Sequence, residues 1–126
     1  MKSFVISLVI AFIIFMSGFF SSNYLKNTSS RLININNKIY ENILSNSYDQ
    51  ALKEANNASS YIDNNYYILA SLIDHAQIDK IQINLNYLTV FLSEKRKVES
   101  LCYTNVLSTL YEHLYKTHEI KLENIL

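Results

Sequence analysis

Two histidines and an aspartate are the residues whose types and spacing come nearest to a reactive site. Asp79 follows His75 by four residues, a spacing that puts two side chains on one face of a helix. His113 comes level with His75 if the chain forms a helical hairpin that turns near Glu94. Imidazole and carboxylate groups are ligands for zinc and other divalent metals. The candidate metal ligands are therefore His75, Asp79 and His113.

Structural roles account for the same residues. Asp74 is a good helix N-cap, His75 can pair with Asp79, and His113 can reach the facing loop. A structural zinc site takes four ligands, and this spacing supplies three. A serine nucleophile would need an adjacent base held by a third group, and the serines of this chain lack that context. We therefore expect no metal, no other cofactor and no enzymatic activity.

An apolar run without a charged side chain occupies residues 4–20. Its length is close to the roughly 20 residues that an α-helix needs to cross a bilayer. A cleaved signal peptide would need small residues before its cut site, where Phe19 or Phe20 falls in most frames. A lipoprotein signal would need a cysteine directly after the run, and the single cysteine is Cys102. We therefore expect an uncleaved membrane anchor over residues 1–22.

The charges beside the anchor give conflicting signals about its orientation. Lys2 and the α-amino group resemble the short cationic segment that stays in the cytoplasm. The other flank carries Lys26, Arg31 and Lys38, and the positive-inside rule would place these in the cytoplasm as well. Long C-terminal domains cross the membrane largely regardless of charge. We expect a single-pass protein of the cell membrane with its C-terminal domain outside the cytoplasm.

The rest of the chain has the composition of a helical protein. It contains no proline and one glycine, the residues that most often break helices and form turns. Apolar spacing predicts helices over about 24–44, 48–73, 75–93 and 98–116. We expect an all-α fold, in which a single N-terminal transmembrane helix precedes a small antiparallel helical bundle of three to four helices. The predicted division is a transmembrane anchor at 1–22, an amphipathic stalk helix at 23–46 and the bundle at 47–126.

Several local features follow from the same patterns. The third helix has the clearest seam for packing, formed by Ile78, Ile81, Leu85, Leu88 and Leu92. Ser47 and Gln50 fit a capping box at the start of the second helix. Cys102 falls within an apolar helical pattern and is expected to be a buried thiol.

The composition also limits the partners. Neither a basic cluster nor a recognisable binding motif indicates nucleic acid. An anchor, a packing seam and the lack of a reactive cluster favour a membrane-anchored accessory or scaffold protein without enzymatic activity. It would bind a membrane protein partner or form a homo-oligomer. The alternative is an extracytoplasmic sensor, in which the helical bundle binds a small ligand or a metal.

Two short motifs resemble a known family. Asp74-His75-x-x-Ile78-Asp79, followed by the ending Leu122-Glu123-Asn124-Ile125-Leu126, is similar to domain-of-unknown-function family 4363 in order and spacing. The family consists of small, N-terminally anchored helical proteins of low-GC Gram-positive bacteria. Its members usually carry tryptophan in the second helix, whereas this chain has tyrosines there and no tryptophan. The resemblance implies a membrane-anchored helical protein and brings no known activity.

Overall fold

The computed structural model describes the backbone of residues 1–125 and the side chains of residues 1–116. The described residues form five helices and no strand: α1 (Lys2–Leu44), α2 (Tyr48–Asn64), α3 (Tyr66–Leu72), α4 (His75–Ser93) and α5 (Lys97–Ile125). This confirms the all-α fold expected from the composition. The connections contain one to three residues, so α1 and α2, and likewise α4 and α5, are antiparallel neighbours.

The first helix is continuous and has two different halves. At 1.5 Å per residue, its 43 residues extend for about 65 Å. No side chain of residues 1–20 is buried, whereas Leu25, Leu32, Ile39 and Ile43 are buried in the core. Residues 23–46 were expected to form a stalk before a bundle at 47–126. In the structure, residues 25–44 are the second half of α1 and pack against α2 and α5 as the first helix of the bundle.

The bundle is a ring of four helices in chain order. α1 packs against α2 and α5, and α4 packs against the same two helices. Each helix buries one seam whose members alternate by three and four residues, the spacing that packs helices side by side at a small angle. The seams are Leu25, Ser29, Leu32, Asn36, Ile39 and Ile43 on α1; Ala51, Ala55, Ala58 and Ile62 on α2; Ile78, Ile81, Leu85, Leu88 and Leu92 on α4; and Ser100, Thr104, Leu107, Tyr111 and Leu114 on α5.

The seam between α1 and α5 contains polar residues. Within the described part of the chain, all buried polar side chains lie on these two helices: Thr28, Ser29, Asn36, Ser100 and Thr104. Ser29 Oγ donates a hydrogen bond to the carbonyl oxygen of Tyr111 at 2.6 Å, and Asn36 Nδ2 donates to that of Thr104 at 2.8 Å. Both bonds join residues at the same level of the bundle, so they fix the register of α5 against α1.

A single non-helical residue divides the predicted second helix into α2 and α3. Asn65 has φ −108° and ψ 12°. Its Nδ2 donates to the carbonyl oxygen of Tyr61 at 2.8 Å, and its Oδ1 accepts a hydrogen bond from Tyr24 Oη at 3.0 Å. Asparagine competes with the backbone for hydrogen bonds in this way, and a pattern of apolar spacing does not detect it.

The helix ends explain the remaining turns. At the end of α1, the N–H groups of Asn46 and Ser47 donate to the carbonyl oxygens of Ile43 and Asn42. At the end of α4, Lys95 and Arg96 make the equivalent bonds to Leu92 and Phe91. These are Schellman motifs, and in each the residue after the cap is left-handed, with φ 59° at Asn46 and φ 55° at Lys95.

Two local predictions from the sequence were wrong. Ser47 precedes α2 but makes no side-chain capping bond, and its hydroxyl lies 3.4 Å from that of Ser45 instead. Cys102 is exposed because the buried seam of α5 follows Ser100 and Thr104, which places residue 102 on the outer side of the helix.

Candidate functional site

The structure does not group the three candidate metal ligands into one site. His75, Asp79 and His113 are all exposed. His75 Nδ1 lies 3.3 Å from the hydroxyl of Tyr66, so its ring faces α3. Among the described side chains, no three histidine, cysteine, aspartate or glutamate residues are grouped so that they could hold a metal ion.

Helix geometry explains the separation of His75 from His113. α5 packs on the side of α4 where Tyr87 and Phe91 contact Tyr103. Twelve residues separate His75 from Tyr87, which turns His75 about 120° around the helix from that side. His75 could therefore lie at the same height along the hairpin as His113. Its side chain, however, points away from the side of α4 that faces α5.

The Asp74-His75-x-x-Ile78-Asp79 motif forms the start of α4. Asp74 Oδ1 accepts a hydrogen bond from the N–H of Ala76 at 3.1 Å, which confirms Asp74 as the N-cap. Ile78 is the first buried residue of the α4 seam. His75 contacts Tyr66. Asp74, His75 and Ile78 therefore all have structural roles. The Leu122–Leu126 motif lies outside the residues whose side chains are described.

A neutral surface covers the outer side of α4 and the adjoining edge of α5. Residues 81–93 and 100–111 contain no aspartate, glutamate, lysine, arginine or histidine. Antiparallel packing places these two stretches side by side. Ile83, Tyr87 and Val90 are each more than half exposed and lie within about 60° of one another around α4.

Aromatic stacking organises this surface. The ring of Tyr103 stacks between those of Tyr87, with a centroid distance of 5.5 Å, and Phe91, at 5.4 Å. Stacked aromatic side chains hold their positions and present large apolar areas, as the central residues of protein interfaces do. We call the surface formed by Ile83, Tyr87, Val90, Phe91 and Tyr103 the neutral face.

The opposite side of the bundle is polar. An open groove of about 670 Å³ runs between α1 and α2. The guanidinium of Arg31 lies 4.5 Å from the ring centroid of Tyr61, a cation–π distance. The other polar residues that line the groove include Asn27, Asn34, Lys38, Glu54, Asn57 and Asn64.

Comparison with known proteins assigns the chain to a family. A family model described as a domain of unknown function, DUF4363, matches residues 19–125. The chain belongs to the DUF4363 family. No curated protein and no solved structure matches it.

The matched range coincides with the bundle. The DUF4363 match begins at Phe19, at the end of the apolar run, and includes both the neutral face and the α1–α2 groove. The family therefore defines the helical bundle as the domain and assigns it no activity. Sequence reasoning missed the neutral face. Its signal was the absence of charge from residues 81–93 and 100–111, which becomes one surface when the two helices are paired.

Proposed function

We propose that this DUF4363 protein is a membrane-anchored accessory protein without enzymatic activity. It binds a membrane protein partner or a second copy of itself through the neutral face. The observation that carries the proposal is the exposure of Ile83, Tyr87 and Val90 on a surface without charges. Contiguous exposed apolar surfaces are typical of protein interaction sites.

The N-terminal half of α1 supports membrane anchoring. It belongs to a helix that is long and apolar enough to cross a membrane, and none of its apolar stretch is buried in the protein. The hydroxyls of Ser7 and Ser17 donate to carbonyl oxygens of the same helix, so these polar groups are paired without water. In the proposed arrangement, residues 4–20 span the cell membrane and the bundle lies on its outer side.

Affinity purification of the full-length protein from its native membranes tests the neutral face. In mild detergent, we expect a stoichiometric membrane protein in the eluate, or a dimer of this chain. Tyr87→Asp introduces a charge at the centre of the neutral face. We expect the affinity for the partner to fall about tenfold or more, which corresponds to about 1.4 kcal/mol of binding free energy, and recovery of the partner to fall with it.

Tyr40→Asp is the matched control, because Tyr40 on α1 is 47% exposed and Tyr87 is 51% exposed. This variant should capture the partner as the unmodified protein does. Circular dichroism of both variants checks that the bundle remains folded. A monomer that captures nothing, or equal losses in the two variants, would contradict the proposal.

The α1–α2 groove supports a second candidate, a sensor that binds a small polar ligand. Arg31 and Lys38 give the groove more positive than negative charge, and its four asparagine amides supply donors and acceptors. Inorganic phosphate and citrate are suitable first probes because both are small anions. We expect either probe to raise the melting temperature of the unmodified protein and of Lys53→Ala, but not that of Arg31→Ala. Equal shifts in all three proteins would reject the groove as the site.

A further inference from the structure

The short helix α3 lies at the end of the bundle from which the apolar half of α1 emerges. The hydrogen bond from Tyr24 Oη to Asn65 Oδ1 joins this end of α1 to the start of α3. α3 then continues for seven residues, about 10 Å. From Tyr24 back to Phe20, the end of the apolar run, α1 covers about 6 Å. The start of α3 therefore lies near the level of the last apolar residues of α1.

The segment around α3 is more apolar than its position in the bundle requires. Residues 65–73 contain no charged side chain. Leu69 and Ile73 point into the core and are buried. Tyr67 is 88% exposed and Ile68 is 50% exposed, both on the outside of this end.

A membrane interface suits this composition. Tyrosine is enriched where a membrane meets water, because its ring lies among the lipid chains and its hydroxyl stays hydrated. An apolar helix face can lie in the plane of the headgroups beside it. Asp74 follows α3 and is exposed, and its charge would keep the α3–α4 connection on the aqueous side of the headgroups.

We propose that α3 is a second, shallow membrane contact, in which Tyr67 and Ile68 insert among the lipid headgroups beside the transmembrane half of α1. This inference rests on the proposed membrane anchoring, but it concerns a surface that anchoring does not need. With two contacts, the bundle would be held against the membrane at both α1 and α3.

The absence of tryptophan from the chain makes a direct test possible. Tyr67→Trp places a single fluorescent reporter on α3, where its exposure leaves room for the larger ring. Phe12→Trp places one within the apolar half of α1, and Val98→Trp places one at the far end of the bundle, beside the α4–α5 turn. The full-length variants are reconstituted in vesicles of phosphatidylcholine and phosphatidylglycerol. The vesicles carry a nitroxide quencher either on the lipid headgroup or deep in the acyl chain.

We expect Tyr67→Trp to have blue-shifted emission and to lose most of it to the headgroup quencher. Phe12→Trp should be quenched from the acyl chain, and Val98→Trp by neither lipid. If Phe12→Trp is quenched and Tyr67→Trp is not, α3 does not contact lipid and the inference is wrong, while anchoring stands. A blue shift of Tyr67→Trp without quenching would assign α3 to a protein contact and would also overturn the inference.

Loss of quenching at Phe12→Trp would be a different result. It would show that residues 4–20 do not enter the bilayer, and both the anchoring and the α3 contact would then fail. Ile68→Trp is a second reporter on α3 and should behave as Tyr67→Trp does.

Discussion

Tyr111 is the largest fully buried side chain among those described, and its burial predicts that the stability of the bundle depends on pH. Burial raises the pKa of its phenol because an ionised ring would lose its hydration. Below about pH 10 the phenol is neutral in both the folded and the unfolded chain. Above about pH 10 the unfolded chain ionises while the folded chain resists, so the free energy of unfolding falls as pH rises.

Tyr111→Phe should remove this contribution. We expect the free energy of unfolding of the variant, measured by urea denaturation in mild detergent, to fall less steeply above about pH 10 than that of the unmodified protein. Tyr67→Phe is the control, because it removes an exposed phenol and leaves the buried one in place. Parallel pH curves for Tyr111→Phe and the unmodified protein would contradict the assignment.

The polar seam residues show what apolar periodicity misses at single positions. Ser29, Asn36, Ser100 and Thr104 occupy seam positions that leucine or isoleucine would fill in an apolar bundle. Leu101 and Leu110 fit an apolar periodicity in the last helix as well, and both are partly buried beside the true seam. Including small polar residues in the periodic pattern would have identified the seam from the printed sequence.

At the scale of elements, the turn after α4 offers a stabilising substitution. Lys95 is left-handed in a Schellman motif, a conformation that costs a residue with a Cβ atom about 1 kcal/mol and costs glycine little. Lys95→Gly should therefore raise the free energy of unfolding by about 0.5–1 kcal/mol. A melting temperature several degrees higher would confirm it.

Asn46→Gly in the turn after α1 is the comparison. Asparagine tolerates the left-handed region, and the 3.5 Å contact of its Oδ1 with Lys97 Nζ would be lost. We expect a smaller gain there, or none. A fall in stability for Lys95→Gly would mean that the turn does not limit stability.

The elements differ in how well the sequence predicts them. The α4 seam was predicted completely, because all five of its members are isoleucine or leucine. The break at Asn65 was missed, because it depends on a hydrogen bond from Tyr24, which is distant in sequence. The role of residues 23–46 as a bundle helix was also missed, since an amphipathic pattern does not specify which helices cover its apolar side.

At the scale of the whole molecule, the formal net charge of zero conceals an uneven distribution. The bundle half of α1 and all of α2 carry charges along their length, whereas the central parts of α4 and α5 carry none. The ring order of the helices collects the charged surfaces on one side and the neutral face on the other. The proposed partner and the proposed small ligand would therefore bind opposite sides and would not compete.

The candidate metal ligands His75, Asp79 and His113 show that height along a helical hairpin is not enough to predict a site. Counting residues from the α4–α5 turn brings His75 and His113 to one height but does not give the direction of either side chain. The direction of each side chain depends on which flank of α4 faces α5, and the Tyr87–Tyr103 stack settles that after folding. Function at this scale follows from surfaces that only the assembled bundle creates.

The unbroken course of α1 has a mechanical consequence. Under the proposed anchoring, the neutral face is carried on a rigid rod, and the bundle portion of that rod, residues 25–44, rises about 30 Å above the bilayer. A flexible tether would let the neutral face sample many distances and orientations relative to the membrane. A continuous helix instead fixes both its distance from the lipid and its orientation. A binding partner must then present its matching surface at the same distance from the membrane. The length of α1 would therefore restrict the choice of partner, in addition to the chemistry of the two surfaces.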